Sequence, residues 1–176
     1  MALTMDVFSH ALWGGVTVGR KSRGDFLLAG AFSVLPDLVG EGTMFLLILL
    51  GLPDMPDLGH GHPDIVDFPA YAQDFYNSGH SLFVFASCFA LVWLIRRKVL
   101  WPLAGWGIHI LIDIPTHSLK LFPTPFLWPF SSYKMDGIAW RSPSILLLNF
   151  SALAIAYCLW LYQRRSAGKR RDRPSV

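Results

Sequence analysis

From Pro143 to Gln163 the chain carries no charged side chain, a run of about 20 residues, long enough to cross a bilayer as a helix. Two more uncharged runs precede it. One is Ser81 to Ile95, reaching back to Asn77 if His80 is neutral, and the other is Trp101 to Ile112. With 53% hydrophobic residues and a mean hydropathy of +0.42, 176 residues are too apolar for an ordinary soluble domain. The pattern predicts an all-α integral membrane bundle of about five short or broken spans with two extramembrane loops. Residues 1–163 form one membrane-embedded domain, and 164–176 a basic, disordered tail.

The chain order supplies the spans. Met1 to Val18 is helix-compatible, weakened by Gly14-Gly15, and stops at a basic turn, Arg20 to Arg23. No basic leader precedes it, so no secretory signal peptide is predicted. Asp25 is the expected N-cap of a helix over Phe26 to Leu35, which Pro36-Asp37 interrupts. Thr43 to Leu52 then completes one broken span with Asp37 at the break. Pro53 to Ser78, with five aspartates, four prolines and no Lys or Arg, reads as an acidic extramembrane loop. A span from Gly79-His80-Ser81 ends at Arg96-Arg97-Lys98, and Trp101-Pro102 starts the next. Leu119 to Ser142 is a second loop, whose prolines and aromatics suit a membrane interface or a lid over a site. Cys88 and Cys158 lie in separate runs and read as small buried apolar residues, not as a disulfide.

Alternating spans put Arg20, Lys21, Arg23, Arg96, Arg97, Lys98 and the tail's basic residues on one side. Lys120, Lys134 and Arg141 fall on the other. Positive residues stay cytoplasmic, so the tail is expected inside and both loops outside. Topology and anionic lipid account for the net charge of +3, and no nucleic-acid partner is expected.

His109 and Asp113 stand four apart in an apolar run, and so share one helix face. Pro115 limits the helix beyond them, and His117 follows. Ionisable groups are costly in such surroundings unless paired or shared by a cation. Other polar residues agree with them in depth. Counting from Arg20, Asp25, Trp101 and Arg96, His10, Asp37, His109, Asp113 and His80 lie roughly 15, 18, 12, 18 and 24 Å above the inner anchors at 1.5 Å per residue. Imidazole and carboxylate together suit a divalent metal, zinc above all. The expected ligands are His10, Asp37, His80, His109 and Asp113, for one or two ions. Such an ion neutralises the aspartates, activates water and polarises a phosphoryl or carbonyl oxygen. Asp37, Asp113 or His117 would supply a general base. Blander roles remain open: an intrahelical pair for His109 and Asp113, a helix stop for Asp37, core or interfacial positions for His10, His80 and His117.

Ser9-His10, Leu35-Pro36-Asp37, His80-Ser81-Leu82 and His109-x-x-x-Asp113 followed by Thr116 resemble the membrane-bound metal-dependent hydrolases. These are small inner-membrane proteins of bacteria and archaea. The resemblance runs to about Pro129. The order of ligand types is also similar to that of zinc-dependent phospholipase C. It implies a hydrolase acting on a phosphoester or phospholipid-like substrate at the outer face of the inner membrane. Members often carry a His-Arg pair just before the equivalent of Gly79-His80-Ser81; here Phe75, Tyr76, Asn77 and Ser78 stand there. One ligand or phosphate-binding cation is therefore without a counterpart, for which His60 or His62 could stand in. Two other functions draw on the same residues: an ion or proton transporter, disfavoured by the lack of a visible inverted repeat, and a non-catalytic membrane scaffold. Membrane lipid and a small-molecule or lipid substrate are the expected partners; the oligomeric state is open.

Overall fold

The computed structural model describes residues 3–51, 67–120 and 122–171. Among them are seven α-helices and no β-sheet: α1 (Leu3–Val18), α2 (Arg23–Val39), α3 (Glu41–Leu49), α4 (Ala70–Gly79), α5 (Leu82–Arg96), α6 (Ala104–Thr116) and α7 (Pro143–Arg171). A 3-10 turn, Trp101–Leu103, leads into α6. His60, His62 and most of the acidic loop lie outside the described residues.

Three helices, α1, α2 and α6, pack on one another and form the centre. Small residues let them meet closely. A Cβ on Gly14 of α1 would lie 2.6 Å from the Ala29 carbonyl oxygen and 2.7 Å from Ser33 Cβ, both on α2. A Cβ on Gly105 of α6 would run into that same Ala29 oxygen. The glycines that weaken α1 as an isolated helix are thus what seats it, since side-chain absence permits backbone contact.

Several boundaries differ from the sequence reading. Ser22, not Asp25, caps α2, its side chain accepting from the Asp25 amide at 3.0 Å. The helix passes through Pro36 to Val39 and breaks at Gly40, so Asp37 sits in its last turn. A helical proline loses its own amide bond and crowds the preceding turn, yet the Pro36 carbonyl still accepts from the Gly40 amide at 2.8 Å. A 48° bend then separates α2 from α3. The end of the acidic loop is helical, because α4 lies past the last of its prolines; it meets α5 at 60°. Ser81 caps α5 by accepting from Val84 N at 3.2 Å. At the far end α7 continues to Arg171, beyond the expected stop at Gln163.

Among the described residues one helix, Pro143–Ala167, is long and apolar enough to cross a membrane, and counting each bent pair as one span brings the number to three. The stretches α1 and α6, 16 and 13 residues long, are shorter than a roughly 30 Å hydrocarbon layer. The outer helices are apolar outwards. No residue of α5 is buried, while Trp93, Leu94, Ile95, Leu147, Leu148, Ile155 and Leu159 are exposed. Cys158 is exposed too and Cys88 only half-buried, correcting the expectation that both are interior. Those helices turn their apolar surface outwards rather than into a core. α7 is fixed to α1 by polar bonds: Trp13 Nε1 donates to Asn149 Oδ1 at 2.8 Å, Asn149 Nδ2 donates to Ser9 Oγ at 2.8 Å, and the Tyr157 hydroxyl donates to the Leu12 carbonyl.

Candidate metal centre

Among the described residues, polar side chains are as well represented in the interior as apolar ones. His10, Ser33, His109 and Asp113 have no exposed surface, and His80 and Ser81 have almost none. Helix register brings the ionisable ones to one level. Gly105 of α6 lies against Ala29 of α2, and each helix then climbs eight residues, about 12 Å, to an aspartate: Asp113 on α6 and Asp37 on α2. His109 lies one turn below Asp113. On α1, Gly14 fits against Ala29 and Ser33, and His10 is one turn along from it. The junction of α4 and α5 supplies His80.

Asp37, His80, His109 and Asp113 present one ligand atom each, all within 4.8 Å of one another, a group that can hold a metal ion. Five of the six separations are fixed by close contacts. His80 Nε2 is 3.2 Å from His109 Nε2, 3.5 Å from Asp37 Oδ1 and 3.6 Å from Asp113 Oδ2. His109 Nε2 is 3.4 Å from Asp37 Oδ1 and 2.9 Å from Asp113 Oδ2. Ligands at 2.0–2.1 Å on a tetrahedral cation are separated by about 3.3 Å, and these five distances bracket that value.

Direction and charge agree with distance. Both Asp113 oxygens and Asp37 Oδ2 are buried and lack a well-directed hydrogen bond. Yet imidazole nitrogens approach the two Asp113 oxygens to 3.0 and 2.9 Å. Polar atoms that crowd without pointing along an N–H are arranged as ligands around a shared centre are. His80 Nδ1 lies 2.9 Å from the Tyr76 carbonyl. A carbonyl only accepts, so Nδ1 carries a proton; with the ring neutral, the Nε2 lone pair would face the cluster, as in metal-bound histidines. With both imidazoles neutral, the two carboxylates would leave two buried negative charges, which a divalent cation would balance.

His10 and His117 are brought to the other side of Asp113. His10 Nε2 is 3.0 Å from Asp113 Oδ1, and its ring centroid is 4.1 Å from that of His109. His117 Nδ1 is 3.6 Å from the same oxygen and 3.3 Å from the Asp113 carbonyl. The structure thus gathers His10, Asp37, His80, His109, Asp113 and His117 in one place, with Asp37, His80, His109 and Asp113 as the metal-sized group. Of those four, the Asp37 side chain keeps 12% exposure and the others at most 1%.

The second loop closes over this end. The Leu82 amide donates to the Phe126 carbonyl and Ser81 Oγ to that of Trp128. On the α6 side, the amides of Gly137, Ile138 and Trp140 donate to the carbonyls of His117, Pro115 and Thr116 at 2.7–2.9 Å. Gly137 is required there, because a Cβ would enter the Pro115 and His117 carbonyls. Two positions around His80 are not apparent as site residues in the sequence. Trp106 Nε1 donates to the Gly79 carbonyl at 2.6 Å. Tyr76 stacks on the His80 ring, centroids 4.1 Å apart and planes 25° from parallel. Trp106 stands in an apolar run, where an aromatic reads as a core or lipid contact, and Tyr76 in the acidic loop, so nothing in the spacing marks them out. Comparison with protein-family models, curated proteins and solved structures finds no match to this chain.

Proposed function

We propose that this protein is a multi-pass, membrane-embedded metal-dependent hydrolase that holds zinc and acts on a phosphoester or phospholipid-like substrate. Its place is the inner membrane of a bacterium or archaeon, with the basic termini of α5 and α7 in the cytoplasm and the cluster towards the outer face. The observation that carries the reading is the Asp37–His80–His109–Asp113 group, buried in a molecule that leaves many large apolar side chains exposed. Such an exterior is stable where lipid covers it.

Asp37, His80, His109 and Asp113 would hold the ion. When bound, it supplies Lewis acidity towards a phosphoryl oxygen and acidifies water. The chain's own residues orient and exchange protons around it. Asp113 would hold the ion through Oδ2, the oxygen nearest His109, while Oδ1 stands between His10 and His117. His117, next to the loop that closes the site, is the general base, and Asp113 fixes its ring. The partial exposure of Asp37 gives the side from which substrate approaches.

Elemental analysis of the detergent-purified protein tests the metal, and a screen of phosphoester lipids tests the reaction. Stoichiometric zinc is expected in the native chain and none in the His109→Ala, Asp113→Ala double variant, with hydrolysis lost alongside. Absence of a transition metal, or equal metal in both, overturns the assignment. Stoichiometric metal without hydrolysis of any phosphoester overturns the reaction.

A further inference from the structure

Tyr76 occupies one of the positions where the resemblance leads one to look for a cationic or ligating side chain. It is fully buried and does three things at once. Its main-chain carbonyl accepts a hydrogen bond from His80 Nδ1. Its ring lies almost flat against the His80 ring. Its hydroxyl donates to the Phe122 carbonyl at 2.6 Å, where the closing loop begins. The tyrosine is itself immobilised. Met44, Phe68 and Ala72 pack around it, and Gly40 at the α2–α3 bend comes so near that a Cβ would be 3.1 Å from its ring.

An imidazole bound through Nε2 has one remaining freedom, rotation about its χ angles, and that decides whether the lone pair points at the ion. The carbonyl fixes one ring edge and the stacked phenol fixes the ring plane. The hydroxyl extends the same restraint to the loop. We propose that Tyr76 is a positioning residue for the ligand His80 and couples the seating of the loop at Phe122 to cation affinity. This rests on the metal reading above. Coupling is reciprocal: if loop seating favours the cation, the cation must favour loop seating by the same factor.

Cobalt(II), bound in place of zinc, reports the ligand field by its visible spectrum. In Tyr76→Met the ring and hydroxyl are lost and a smaller, flexible apolar side chain takes their place. Affinity is expected to fall about 10- to 100-fold, as for other lost partners of metal-bound histidines, with a changed cobalt spectrum. Met44→Ala thins the same cluster without touching His80; it lowers thermal stability and leaves the spectrum as in the native protein. Native affinity and spectrum in Tyr76→Met overturn the proposal, as does the same spectral change in Met44→Ala. Tyr76→Phe keeps the ring and removes the hydroxyl, and it tests the coupling even if Tyr76→Met fails to fold. Zinc slows tryptic cleavage after Lys134 in the native chain and no longer does so in Tyr76→Phe; equal protection of the two overturns the coupling. A native protein that binds neither zinc nor cobalt instead fails the metal reading itself, a result distinct from each of these.

Discussion

Replacing Gly105 by alanine tests whether helix packing sets the metal site. The new methyl would meet the Ala29 carbonyl oxygen closer than real Cβ atoms come, with Ala29 C at 3.3 Å and Ser33 N at 3.4 Å. All three are backbone atoms of α2, so no side chain can swing aside. α6 must move off α2 by at least about half an ångström, and strain of this kind costs about 1–3 kcal/mol. His109 and Asp113 move with α6, one and two turns further on, while Asp37 stays with α2. Ligand distances in a metal site are held to within about 0.2 Å, so the 3.4 Å approach of His109 to Asp37 cannot survive the shift. Zinc affinity should fall at least tenfold, about 1.4 kcal/mol, in competition with a chromophoric chelator in detergent. Thermal unfolding of the metal-free protein gives the strain separately. Gly42→Ala is the control: its nearest atoms are 3.6 Å or more away, so a stability gain of up to about 1 kcal/mol with unchanged affinity is expected. Native zinc affinity in Gly105→Ala would refute the reasoning, because the cluster would then not depend on the α2–α6 separation.

Two other outcomes follow from the same geometry. Asn149→Leu removes both bonds that tie α7 to Trp13 and Ser9; at about 0.6 kcal/mol for each interhelical bond, unfolding should come about 1 kcal/mol sooner with metal content unchanged, and a loss of metal would show that α7 supports the site. Stripping the ion with a chelator should lower the unfolding temperature reversibly, since zinc at 100 times its Kd contributes about 2.7 kcal/mol; a midpoint that ignores both chelator and added zinc would count against the buried cluster as a cation site.

What the sequence makes legible is the chemistry out of place. His10, Asp37, His109 and Asp113 stand out because ionisable groups in apolar runs need a reason, and helical rise is enough to see that they share a level. Their assembly into one group is not legible, since it depends on which helices touch, and glycine contacts such as Gly105 on Ala29 decide that. Pro36 misleads in the other direction. It reads as a helix break, but the bend falls at Gly40, where Tyr76 presses against the backbone. Ser22 displaces Asp25 as the cap because the helix starts at Arg23, three residues before the apolar run. For Tyr76 the sequence marks only a position where a cationic or ligating side chain is looked for; its role lies in what its ring and hydroxyl touch.

The common register of α2 and α6 also constrains how such a chain can change over generations. Eight residues separate the contact point from the aspartate on each helix. One residue inserted in either interval raises its carboxylate about 1.5 Å and swings it about 100° around the axis, out of the group altogether. The loops can lengthen, and the exposed leucines can exchange for one another. The two intervals cannot drift one residue at a time, so lineages that keep the site are expected to keep these spacings even where almost every side chain between them has been replaced.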